Sequence, residues 1–228
     1  MFKTHPTLDD ILWRDKRVVA RGATLKTEGD ESHARFYVLD GWLAVSKSLE
    51  EGDHQILEFV LPGESYDPTA ADGRTSFADM QALTDAVIVT VDRTTWARLL
   101  QKDAGLRRRE GLRDIAAQAR QSERMLRLGR SSAEARIAYV LIEFCLRLSG
   151  ATGKHDCAFH IPLGQQQLGD FTGLSSVHVC RTLRRLNRLG MITTGDHMDI
   201  VIHDAPALAR LAEVDLSVLR DEIIPGAA

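Results

Sequence analysis

Apolar and polar positions change rhythm three times along the chain. From about Val18 to Val91 the apolar residues come in short β-rich runs, RFYVL, LAVSK, QILEFVL and AVIVTV. Turn pairs separate them at fairly even intervals: Gly29-Asp30, Asp40-Gly41, Gly52-Asp53, Pro62-Gly63 and Asp72-Gly73. Short runs at this spacing predict an antiparallel sandwich or barrel. A small helix at Leu8–Trp13, with Thr7 as its cap, precedes the strands, and another follows at Thr94–Lys102. Residues 104–130 contain no proline and place Leu112, Ile115, Ala119, Ser122 and Leu126 at alternating spacings of three and four. That is a heptad seam on one long helix.

The middle of the seam is small (Ala116, Ala119 and Ser122), so two helices can approach closely there. A short seam fits an amphipathic helix packed on its own domain as well as a dimer interface. Three features favour the dimer, the third being the break that follows the helix. The other positions are heavily charged, at Arg107, Arg108, Arg109, Glu110, Arg113, Arg120, Glu123, Arg124 and Arg127. The helix also separates two differently built halves. A break is expected at Leu128-Gly129-Arg130. Ser131 and Glu134 then have the spacing of a capping box, in which each side chain satisfies an orphan amide at the start of a new helix. The expected domains are therefore residues 1–103, a helix over 104–130, and residues 131–228.

The third part carries the most specific pattern. A helix is expected from Ala133 to Leu148, then a polar loop from Gly150 to Asp156. A short helix follows at Gln165–Thr172 and a longer one at Ser176–Leu189. Gly173 supplies the positive φ of a tight turn between crossing helices. Gly169 leaves room for the crossing, and Ser175 can cap the second helix. Gly190 stands at its C-terminal end. Leu168, Leu174, Val179, Leu183 and Leu186 form the shared core. Met191–Thr194 and Met198–His203, joined by Gly195-Asp196, make a hairpin wing.

Charge now changes the picture. The chain has 29 Lys and Arg against 32 Asp and Glu, a formal net charge of -3. A protein that coats nucleic acid over its whole surface is excluded, but a local basic patch is not. The second helix carries Arg181, Arg184, Arg185 and Arg188 and no acid. Arginines alone can be a solvated face. The helix-turn-helix spacing, the wing and the dimer helix together point to double-stranded DNA. Ser176, Val177, Cys180 and Arg181 are the candidates for base contacts. Gln165, Gln166, Thr172, Arg184 and Arg188 are the candidates for phosphate contacts.

The stretch QQQLGDFTGLSSVHVCRTLRRLNRLGMI resembles the Crp/Fnr family of bacterial transcription regulators, and the resemblance runs nearly the whole length. It implies an α+β fold: an N-terminal antiparallel β-roll (a cupin-like jelly roll), a long dimerisation helix and a C-terminal winged helix-turn-helix. It also implies a homodimer on a pseudo-palindromic operator, with RNA polymerase as a partner. In the family the recognition helix commonly begins Ser-Arg-Glu-Thr-Val-x-Arg. Here the stretch is Ser175-Ser176-Val177-His178-Val179-Cys180-Arg181, so the last arginine is kept and the two preceding base readers differ. Val177 is suited to a thymine methyl group. The nucleotide-binding cassette of the family is matched by Gly63-Glu64-Ser65-Tyr66 and by Arg74-Thr75-Ser76. Glu64, Arg74 and Thr75 are thus the candidate effector pocket. Tyr66 stands where a small residue admits the ligand, so no bound cofactor is expected, cyclic nucleotide included.

The three cysteines, Cys145, Cys157 and Cys180, are an odd and scattered set without a CxxC pair. They predict no disulfide framework and a reducing cytoplasm. None lies before residue 145, which argues against an iron–sulfur sensor in the first half. His33 and His54 are isolated in turns, so neither a haem nor a metal site is expected there. A cupin-type enzyme needs clustered His and carboxylate ligands inside the barrel, and the strands offer only those two histidines. A regulatory protein whose helical half docks another protein is opposed by the acid-free second helix. The N-terminal residues lack an apolar leader segment, and no run approaches a membrane span.

Overall fold

The computed structural model describes residues 7–149, 157–195 and 198–226. They fall into two compact units, residues 1–108 and 109–228. The expected loop at Gly150–Asp156, and Asp196 of the expected wing turn, lie outside the described residues.

The first unit opens with α1 (Leu8–Arg14), capped by Thr7, which forms a reciprocal box with Asp10. Eight strands follow: β1 (Arg17–Val19), β2 (Thr24–Lys26), β3 (Ala34–Asp40), β4 (Leu43–Ser48), β5 (His54–Val60), β6 (Ser65–Tyr66), β7 (Asp79–Ala82) and β8 (Ala86–Asp92). They form two four-stranded antiparallel sheets, in the orders β1-β8-β3-β6 and β2-β7-β4-β5. Side chains alternate faces along a strand. Phe36, Val38 and Ile88 join Leu43, Val45, Val60 and Met80 in one core. Tyr37, Val89 and Val91, one residue out of step, meet Ile11 of α1 and Leu99 of α2 (Arg93–Lys102) in another. The antiparallel sandwich expected from the turns, and the β-roll that the resemblance implies, are therefore present. The expectation missed only its shortest strands, β1, β2, β6 and β7.

The long helix α3 runs without interruption over Ala104–Arg130. The break expected at Leu128-Gly129-Arg130 falls just after those residues, at 131–132, because Gly129 is helical and Ser131 still donates its amide to the Arg127 carbonyl at 3.0 Å. The next helix, α4 (Ala133–Ser149), starts from a different cap than expected. Ser132, not Ser131, accepts the amide of Ala135. Glu134 pairs instead with Arg185.

The remaining elements are β9 (Ala158–His160), α5 (Gln165–Thr172), α6 (Ser176–Arg188), β10 (Ile192–Thr194), β11 (Asp199–Ile202), α7 (Ala205–Ala212) and α8 (Leu216–Ile223). The wing is wider than a hairpin. Strand β9 pairs with β11 to give a three-stranded antiparallel sheet in the order β10-β11-β9. No described helix is long and apolar enough to cross a membrane.

Cys145, near the end of α4, and Cys157, one residue before β9, are joined as a disulfide with their Cα atoms 5.5 Å apart. This corrects the expectation of unpaired cysteines. A spacing of 12 residues gave no motif, but the path of the chain brings α4 and β9 side by side. Cys180 is the free cysteine among the described residues.

Candidate nucleic-acid interface

The site is built on the crossing of α5 and α6. Helix α5 ends at Gly173, whose φ of 65° is the left-handed conformation that the turn requires. Ser175 caps α6 by accepting the amide of His178. Val179, Leu183 and Leu186 are spaced by four and three, so they fall on one side of α6, where all three are buried. Leu168 of α5 is fully buried with them. Helix α6 is thus pinned by its apolar side and offers the opposite side to solvent.

That outer side is one concave surface. Ser176, Val177, Cys180, Arg181, Arg184, Asn187 and Arg188 line it with Gln165 of α5, around a volume of about 810 Å³. Val177 is 64% exposed, so its side chain is open to contact from outside. Three guanidinium groups and no carboxylate are among the lining residues. A surface with this charge and hydrogen-bonding capacity suits phosphates at its edges and base edges at its centre. All four expected base-contact residues lie together here, as do Gln165, Arg184 and Arg188.

Three placements differ from the expectation or add to it. Thr172 does not face this surface. It is buried, and its hydroxyl donates to the carbonyl of Leu168 at 2.7 Å, so its side chain is unavailable to a phosphate. Gln166 is exposed but outside the concavity, where its amide donates to Asp170 at 2.7 Å. Asn187 was missed. It lies seven residues after Cys180, two helical turns along the same side, and donates to Thr194 of the wing at 3.4 Å. The fourth arginine of the helix, Arg185, turns away and pairs with Glu134 at 3.0 Å.

On α3 the seam residues lie along one exposed side. Leu112, Ile115 and Leu126 are 39%, 63% and 55% exposed, and Met125, absent from the expected set, is 72% exposed. Ser122 is exposed and Ala119 half-buried. Ala116 faces inward and is buried, so it does not belong to the seam. Nor are all the charged positions outward. Glu110, Arg120, Arg124 and Arg127 are buried. Arg127 has a local partner in Glu123 at 2.8 Å, but sequence could not show the burial, because the other groups that receive the three arginines are remote in the chain.

In the β-roll, Glu64 is half-buried and its carboxylate accepts the amide of Leu61 at 3.1 Å. Arg74 is exposed. Thr75 donates its hydroxyl to Asp72 at 2.9 Å, and Asp72 also accepts the amides of Arg74 and Thr75. These hydrogen bonds hold the Asp72 carboxyl below the usual carboxylate range. Tyr66 packs against the β-roll core beside Phe77, with ring centres 6.3 Å apart. His33 and His54 are both exposed, and His54 lies 3.3 Å from the Ser48 hydroxyl. Among the described residues no three His, Cys, Asp or Glu side chains converge as metal ligands.

Comparison with known proteins bears on both units. Residues 16–103 match the model of a cyclic nucleotide-binding domain, and residues 135–211 match that of a Crp-like helix-turn-helix domain. The chain is 28% identical over 194 residues to the nitrogen fixation regulation protein FixK of Bradyrhizobium diazoefficiens, covering 85% of this chain and 78% of that one. It is 29% identical over 208 residues to the transcriptional activator protein FnrA of Stutzerimonas stutzeri, covering 90% and 83%. The structure of FixK2 from Bradyrhizobium japonicum shares the fold, with a TM-score of 0.74 at 22% identity over 86% of this chain and 96% of that one. With these two domains in this order, and with a bare, arginine-lined helix on the second, the chain belongs to the Crp/Fnr family of transcription regulators.

Proposed function

We propose that the protein works in the cytoplasm as a homodimer, joined along the exposed side of α3, that places two copies of α6 in successive major grooves of a pseudo-palindromic operator. The supporting observation is the concave outer side of α6, where Val177, Arg181 and Arg184 are exposed beside the half-buried Cys180 and no acid is among the lining residues. The paired half-sites would lie about one helical turn apart. RNA polymerase is the further partner that such a regulator contacts at a promoter. Genomic footprinting of the tagged protein tests the reading, since it should return an inverted-repeat motif. A single unrepeated motif would oppose the dimer, and no enrichment would oppose specific DNA binding.

The β-roll, in this reading, takes no cyclic nucleotide. Tyr66 fills space against the core, Thr75 is engaged by Asp72, and Glu64 is engaged by the Leu61 amide. Titration calorimetry with cyclic AMP and cyclic GMP should show no saturable heat. Micromolar binding that is lost in Arg74→Ala would overturn this part.

A further inference from the structure

The face of α3 that carries buried arginines is tied to four helices of the DNA-binding unit. Arg120, Arg124 and Arg127 follow one another at spacings of four and three, so they share one face of the helix. Arg120 donates to the carbonyl of Ile223, the last residue of α8, at 3.3 Å. Arg124 pairs with Glu143 of α4 at 3.0 Å and lies over the Phe171 ring of α5 at 4.8 Å. Arg127 donates to the carbonyl of Ala212, the last residue of α7, at 3.2 Å and lies over the Tyr139 ring of α4 at 4.4 Å. Glu143 has no exposure and also pairs with Arg147 at 3.0 Å. From the other side, Arg136 of α4 donates to the carbonyl of Thr172, immediately before the helix-turn-helix turn, at 3.3 Å.

Buried ion pairs are poor devices for stability, because apolar replacements of the same volume often do as well. Their particular strength is direction. A guanidinium is planar and donates along fixed lines, and the ends of α7 and α8 present carbonyls at the negative poles of those helices. Three such anchors to four helices define an orientation, not merely an attachment. The exposed seam, Leu112, Ile115, Ala119, Ser122 and Leu126, runs along another side of the same α3.

We propose that Arg120, Arg124 and Arg127 are positioning residues that set the angle between the recognition helix α6 and the dimer seam, and so select the half-site spacing that the regulator reads. The inference rests on the dimeric reading above. An isolated half-site is insensitive to this angle, because one copy of α6 reads it alone. A palindrome is sensitive, because both copies must register at once.

The test uses the full chain. Wild type, Arg124→Gln and Arg127→Lys are titrated on a DNA with one half-site and on palindromes whose spacing differs by one or two base pairs, with sedimentation run alongside. Wild type should favour one spacing. The variants should bind the single half-site as wild type does, yet lose about tenfold or more on the favoured palindrome and discriminate less among spacings. Arg127→Lys keeps the charge and serves if Arg124→Gln fails to fold. Variants that keep the wild-type spacing preference, or that weaken the half-site and the palindrome equally, would show that the arginines only hold the unit together and would overturn the proposal. A dimeric wild type indifferent to spacing would overturn it too. A monomeric wild type would first remove the dimeric reading, and this inference with it.

Discussion

Leu174 donates its amide to the carbonyl of Gly169 at 3.0 Å, and its own carbonyl oxygen occupies the place where a side chain on residue 169 would begin. The two helices of the DNA-binding motif cross through this contact. Backbone cannot withdraw as a flexible side chain can. Gly169→Ala should therefore destabilise the C-terminal unit by about 3 kcal/mol, the upper part of the range for overpacking a tight site. Denaturant unfolding of the wild type and variant measures it. A loss below about 0.5 kcal/mol, the scale of an ordinary surface change, would mean the crossing relaxes freely.

Arg181 has the exposure and the fork geometry to hold guanine by O6 and N7. Arg181→Ala should cost about 1–3 kcal/mol per half-site and relax the preference at one base pair. Titration on the footprinted operator, on the operator with that guanine changed, and on random DNA separates the roles. Equal weakening on all three would make Arg181 a backbone contact and leave specificity to Ser176, Val177 and Cys180.

Ala119 is half-buried at the centre of the exposed seam on α3. In a dimer joined there, Ala119→Glu sets like charges against each other at close range in a partly dry interface. Sedimentation should show the variant as a monomer at micromolar concentration, while its far-ultraviolet circular dichroism stays that of the wild type. A variant that remains a dimer would place the interface elsewhere.

The Cys145–Cys157 disulfide ties α4 to the strand that widens the wing. Thiol titration of the unfolded protein without reductant should find one reactive cysteine, Cys180, and with reductant three. Closing a loop of this length removes freedom from the unfolded chain, so reduction should lower stability by about 3 kcal/mol. Three reactive thiols without reductant would mean that the pair is kept reduced in the protein as isolated.

Several features of the fold were legible because a local rule decides them. The turn glycines divided the long strands correctly, and Ser175 and Gly173 marked the two ends of the helix crossing. The concave DNA-facing side followed from the period of Val179, Leu183 and Leu186, whose burial leaves Val177, Cys180, Arg181 and Arg184 outside. What escaped depends on partners distant in the chain. Strand β9 is three residues long and exists because β11 offers it an edge. Charge suggested an outward place for Arg120, Arg124 and Arg127, but beside the local Arg127–Glu123 pair they reach the distant Ile223, Glu143 and Ala212. Thr172 looked like a donor for phosphate, yet a threonine hydroxyl in a helix can satisfy itself on the preceding turn, as it does on Leu168.

The pairing of Arg185 with Glu134 has a consequence in the ionic atmosphere of DNA. A cation already matched within the protein displaces few counterions when the duplex arrives. The slope of log affinity against log salt should therefore reflect Arg184 and Arg188 and omit Arg185, at about 0.9 for each phosphate neutralised. Replacing Arg184 or Arg188 in both protomers should make that slope shallower by about two, whereas replacing Arg185 should leave it nearly unchanged. Of two neighbouring arginines in one helix, the first should sense salt and the second should not, because Glu134 stands where a phosphate would.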